Sequence, residues 1–161
     1  VSDGGFDAFD TFGYYPNGMP SGVSVQRTVR FEEVDAVRFM WHGRYASWLE
    51  DGREAMGRAY GLSYLDFRDN GVVVPLKLFH LDFHHPLLYG QTYTIHAELF
   101  WNEAAVLDFE YRIEDAAGLV TTTASTTQLM LDLDGNLLME PPAFYREFCA
   151  QWRQGKVVCR Q

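Results

Sequence analysis

The stretch EEVDAVRFMWHGRYASWLEDGRE, Glu32 to Glu54, governs how the rest of the chain is read. It opens with three carboxylates in four positions, Glu32, Glu33 and Asp35. It then turns apolar and aromatic through Phe39, Met40 and Trp41, meets His42, and becomes periodic. Tyr45, Trp48, Leu49, Gly52, Met56, Ala59 and Tyr60 recur at three- and four-residue steps. That spacing predicts a helix over 42–60, with Gly61 at its stop. A carboxylate on the segment before such a helix stands close to backbone N–H groups that the helix cannot satisfy, and to the positive end of its dipole.

On either side of this helix the pattern changes to a period of two. Upstream, VSVQRTVRFE (23–32) sets Val23 and Val25 on one side, with Val29 and Phe31 in phase. Downstream, four strand-like runs cover 72–86, 92–101, 106–115 and 119–133. The third alternates Leu107, Phe109, Tyr111 and Ile113 with Asp108, Glu110, Arg112 and Glu114. Turn residues separate the runs at Tyr89-Gly90, Trp101-Asn102-Glu103 and Ala117-Gly118. DLDGN (132–136) ends the last run, and Pro141-Pro142 introduces a short amphipathic helix. The order is strand, long helix, four long strands, short helix, read as a meander of antiparallel strands covered by one helix. One helix leaves aromatic surface and two sheet edges uncovered, so a homo-oligomer is expected. The chain divides into an irregular glycine- and aromatic-rich arm (1–22), a core domain (23–142), and a C-terminal helix and tail (143–161).

Composition narrows the function. The chain has 161 residues, 47% hydrophobic and 22% charged, which suits one soluble globular domain. With 12 Phe, 9 Tyr and 4 Trp it can build a large aromatic core, a flat apolar interface, or both. A net charge of −9 argues against general nucleic-acid binding and against anionic membrane surfaces. No apolar run approaches the roughly 20 residues of a membrane span. Cys149 and Cys159 form neither a metal spacing nor a disulfide framework, so a reducing, cytoplasmic setting is expected. There is no glycine-rich phosphate loop, no Gly-x-Ser-x-Gly elbow and no Cys-His nucleophile pair.

The run Phe31-Glu32-Glu33-Val34-Asp35, then Phe39-Met40-Trp41-His42-Gly43-Arg44-Tyr45, then Trp48-Leu49-Glu50-Asp51-Gly52-Arg53, resembles the 4-hydroxybenzoyl-CoA thioesterase family. VVVPLKLFHLDFHHPLLYGQTYTI (72–95) resembles the strands and loop that follow in that family. The resemblance covers roughly 23–142 in element order. It implies the α+β hot-dog fold: a five-stranded antiparallel sheet wrapped around one long central helix, with dimers joined edge to edge, or tetramers. It implies hydrolysis of an acyl thioester carried on CoA or on an acyl carrier protein, with no cofactor. Asp35 would be nucleophile or general base, and the N–H of His42 or Gly43 would polarise the carbonyl. Phe39, Met40, Trp41 and Tyr45 would line the acyl pocket. The sequence departs from the family at its first Asp, here Glu33, and at the glycine that follows the catalytic Asp, where Ala36-Val37-Arg38 stand. The turn WNEAAV (101–106) carries no cation, which leaves the carrier open between CoA and a carrier protein.

Other readings compete. A carboxylate ahead of a helix often serves only as a cap. His42 would be a hydrogen-bonding or positioning side chain. Glu50 and Arg53 lie one turn apart and read as an intrahelical ion pair, with Glu50 a second catalytic candidate by the resemblance. His80, Asp82 and His84 alternate along one strand. Side chains two residues apart stand about 7 Å from each other, so a polar face is expected there rather than a metal site. The threonines between 121 and 127 read as strand formers. A hot-dog dehydratase and a non-catalytic thioester-binding module are the alternative functions.

Overall fold

The computed structural model describes residues 23–160; the arm expected over 1–22 lies outside them. The elements run β1 (Val23–Thr28), a 3-10 turn (Phe31–Glu33), a second 3-10 turn (His42–Arg44), α1 (Tyr45–Tyr60) and α2 (Tyr64–Asp69). They continue with β2 (Val72–Val73), β3 (Leu76–Phe83), β4 (Thr92–Phe100), β5 (Val106–Glu114), β6 (Val120–Leu129), β7 (Leu131–Asp132) and α3 (Ala143–Arg153). Five strands form one antiparallel sheet in the order β1-β4-β5-β6-β3, and α1 lies against it. This is the hot-dog arrangement the resemblance implies.

The periodicity of α1 explains its seat. Trp48, Leu49, Met56, Ala59 and Tyr60 are buried. They meet the inward residues of β4 and β5, among them Ile95, Ala97, Leu99, Phe109 and Tyr111, in one core. Contact is closest at Gly52, where an added Cβ would lie 3.0 Å from Ile95 Cγ2 and 3.4 Å from the Ala97 methyl. A larger side chain there would push the helix off the sheet. Gly61 closes α1 in the left-handed conformation (φ 72°), its N–H bonded to the Gly57 carbonyl.

Three expectations are corrected. The strands do not form a simple meander: β3 crosses over to pair with β6 at the far edge, so β1 becomes the neighbour of β4. The run 72–86 is two strands, because Pro75 has no N–H for the ladder. Val72 and Val73 leave to pair with Asp132 and Leu131. The helix α2 was not foreseen, since six residues are too few for a period. Its signal was the capping box at Ser63 and Asp66, whose side chains and amides bond reciprocally.

The sheet ends in two edge strands, and they differ. Along β1 exposed and half-buried residues alternate. Along β3 nearly every residue is exposed, including Leu76, Leu78, Phe79 and Phe83. At the opposite end of the sheet α3 packs Phe144 and Tyr145 on Phe67, and Trp152 on Trp101. Among the described residues no helix is long and apolar enough to cross a membrane.

Candidate active site

Asp35 sits at the head of a tight loop. Val34 bridges Met40, the Asp35 N–H donates to the Phe39 carbonyl at 2.9 Å, and the Arg38 N–H donates to the Asp35 carbonyl at 3.0 Å. The chain reverses within Ala36–Arg38, and Arg38 takes the left-handed conformation (φ 66°) that glycine adopts without strain. Arg38 thus holds a backbone conformation that a glycine at this step would adopt freely. The loop also fixes the carboxylate. Asp35 Oδ1 accepts from the Val37 N–H (2.9 Å) and the Phe39 N–H (3.3 Å), while Oδ2 takes no bond among the described residues. Asp35 is exposed in the single chain.

The segment then turns toward α1. The Trp41 N–H donates to the Glu33 carbonyl and the Arg44 N–H to the Trp41 carbonyl. The amides of His42 and Gly43, first in the 3-10 turn that feeds the helix, have no acceptor among the described residues. The Trp41 indole lies over Gly43, so that a Cβ there would come within 2.2 Å of its ring.

A cleft of about 570 Å³ opens here. Asp35, Phe39, Met40, His42 and Tyr45 line it from this segment, and Phe83 to Pro86 from the end of β3. Tyr45 is buried with its ring edge-on to Phe83, centroids 4.8 Å apart. Burial pushes its phenol above the ordinary 10.0, against opposing bonds to the Leu87 backbone and Thr122. His84 and His85 both donate their N–H to the Thr121 carbonyl, a kink that ends β3. His84 Nε2 sits 2.9 Å from Thr123 Oγ1. The sequence reading missed His85; its signal was the doubled histidine ahead of Pro86.

Trp41, Gly43 and Glu50 do not line the cleft. The expected Glu50–Arg53 ion pair does not form. Arg53 turns inward and is 1% exposed. It donates Nε–H to Gln128 Oε1 and Nη1–H to the Leu62 carbonyl, between the rings of Tyr64 and Phe109. Glu50 instead accepts from the Tyr64 hydroxyl at 2.9 Å. Helical spacing gave the right neighbours, but Arg53 points into the core and Glu50 out of it. His80 and Asp82 bond to each other at 2.9 Å on the exposed edge, and no cluster of three metal-binding side chains occurs among the described residues.

Glu33 stabilises the whole segment. It is 2% exposed and accepts from Arg27 of β1 (2.6 Å), the Trp48 indole of α1 (3.0 Å) and the Arg30 N–H (2.9 Å). Burial raises its carboxyl, but the Arg30 amide, the indole and the Arg27 charge outweigh that and hold it below the ordinary 4.5.

Known proteins resemble this chain in sequence or in fold. YneP of Bacillus subtilis (strain 168), provisionally named an acyl-CoA thioesterase, is 27% identical over 120 residues, covering 74% of this chain and 85% of its own. The crystal structure of DHNA-CoA thioesterase from Staphylococcus aureus superposes with a TM-score of 0.72 at 22% identity, covering 85% of this chain and 97% of its own. The Staphylococcus aureus protein SAV2348, solved in complex with CoA, superposes with a TM-score of 0.73 at 13% identity, covering 87% and 89%. At those identities the two structures show the fold. The profile of the Thioesterase-like superfamily matches residues 29–152, from the end of β1 into α3, and the chain belongs to that superfamily.

Proposed function

We propose that the protein hydrolyses an acyl thioester, with Asp35 as nucleophile or general base. The observation that carries this is the pairing at one cleft of a loop-fixed carboxylate and the His42 end of the helix mouth, where one carboxylate oxygen and the His42 amide are both unspent among the described residues. Thioester hydrolysis needs those two elements: a base or nucleophile beside the carbonyl carbon, and donors for the charge that develops on its oxygen. Phe39, Met40, Tyr45 and Phe83 offer an apolar, aromatic wall to the acyl group. Glu50, bonded to Tyr64 and away from the cleft, takes no part in this reading.

The working unit in this proposal is a homodimer joined through β3. That strand leaves its edge unpaired and its apolar side chains exposed beside the cleft. A partner there would cover Phe83 and dry the carboxylate. A second reading, dehydration of an acyl thioester, draws on the histidines His42, His84 and His85, which line the same cleft. Thiol release across aliphatic and aryl thioesters of CoA, assayed beside hydration of enoyl thioesters, separates the two. Thiol release with at least one acyl group is expected. Hydration without thiol release would replace the hydrolase by the dehydratase.

A further inference from the structure

The surface around the mouth of the Asp35 cleft is both apolar and cationic. Phe31 is 78% exposed, and Phe39, Trp41, Leu88 and Tyr89 are exposed as well. The Phe31 ring meets the Tyr89 ring edge-on, centroids 6.0 Å apart, and Phe39 bridges Leu88. Phe39 also lines the cleft, and the Trp41 ring lies 5.0 Å from that of His42, which lines it too. None of these side chains stands on β3, the strand assigned to the dimer.

Three arginines are interleaved with these apolar groups. Arg30 meets Glu32 at 3.7 Å, with side chains 69% and 67% exposed, a pair that contributes little. Arg44 reaches the Glu32 carbonyl at 3.4 Å and, like Arg38, pairs with no carboxylate among the described residues. The other acids of the segment are already engaged: Glu33 is buried against Arg27, and Asp35 is bound by its own loop. A chain of net charge −9 thus turns unpaired cations to solvent at this one mouth. Arg38 does so from the left-handed conformation, and no hydrogen bond or ion pair of its side chain among the described residues offsets that cost. The Tyr89 N–H, bonded to the Arg38 carbonyl at 3.1 Å, ties this residue into the aromatic patch. Backbone strain of this kind collects at ligand and partner sites.

We propose that this patch docks an acidic carrier protein, which presents the thioester on its pantetheine arm. The inference rests on the thioesterase reading and names the carrier. Exposed aromatic and arginine side chains are the material of protein interfaces, and a contiguous apolar patch on a surface marks one. The unpaired guanidinium groups select an acidic partner. An anionic membrane suits the same residue types, but the net charge of −9 repels it. The Arg38 N–H donates to the Asp35 carbonyl, so a carrier seated on the patch stands at the entrance its arm must pass to reach the carboxylate.

Fluorescence anisotropy of a labelled holo-acyl carrier protein, bearing the pantetheine arm but no acyl group, tests this without any turnover. The full chain is expected to bind it, and added salt to weaken the complex. Arg38→Glu/Arg44→Glu is expected to weaken binding by about tenfold or more, and Arg38→Lys/Arg44→Lys to keep most of it. If the reversal variant fails to fold, Arg38→Gly and Phe31→Ala carry the test, each with a loss of about threefold. No binding of the carrier protein, or binding that survives the charge reversal, overturns the proposal. So does binding of phosphatidylglycerol vesicles, or of a second copy of this chain, that the same variants abolish while the carrier protein stays unbound. Absence of thiol release with carrier binding intact would count against the hydrolase reading alone.

Discussion

At Arg38 a bulky side chain occupies a backbone conformation that suits glycine (φ 66°). A left-handed L-residue costs about 1–2 kcal/mol, partly offset because glycine costs more entropy on folding. Arg38→Gly should therefore raise stability by roughly 0.5–1 kcal/mol, read from denaturant midpoints, with the Asp35 loop unchanged. A loss of stability would mean that the arginine side chain holds the loop. The sequence showed that the glycine was missing but not the conformation of its replacement, because Ala36-Val37-Arg38 carries no turn signature. The position of Asp35 near the helix mouth was legible through its place before an amphipathic helix, but spacing encodes position and not chemistry. The competing helix-cap reading fails, because Oδ1 accepts from the Val37 and Phe39 amides of its own loop and not from the helix.

Between elements, Glu33 is the joint: one carboxylate ties β1 through Arg27 to α1 through Trp48. Glu33→Gln should cost about 3 kcal/mol, the usual range for breaking a buried pair. Because folding lowers the Glu33 carboxyl, its stabilisation is complete above the ordinary value of 4.5 and is lost as pH falls through the lower folded-state value. Unfolding free energy measured from pH 7 downward should therefore fall less steeply below pH 4.5 in Glu33→Gln than in the parent. Identical slopes would remove Glu33 from the account of acid stability. The long helix and the strands β4 to β6 were legible because their periods run for nine residues or more. The split between β2 and β3 and the inward turn of Arg53 were not, since pairing of Val72 with Asp132 and Val73 with Leu131 and a buried guanidinium are settled by tertiary contacts that local spacing does not encode.

For the whole molecule, the exposed β3 edge is the feature that one chain leaves unresolved. A sheet edge with Leu76, Leu78 and Phe79 uncovered is prone to pairing with another strand, although Lys77 and Asp82 lie on it. If the proposed dimer forms, the parent should scatter light as a dimer and Leu78→Lys as a monomer with turnover at least tenfold lower, while the folded core persists in circular dichroism. A monomeric parent would refute the shared cleft. The most direct test of the chemistry is kcat/KM for thiol release by Asp35→Asn, compared with the parent on the acyl-CoA that the parent turns over fastest. Asparagine can keep the loop by accepting the same amides through Oδ1, so folding should change by less than about 1 kcal/mol. A fall of about 10²–10⁴-fold is expected, the usual contribution of a positioned base, and a variant that retains near-parent turnover would contradict a catalytic carboxylate at position 35.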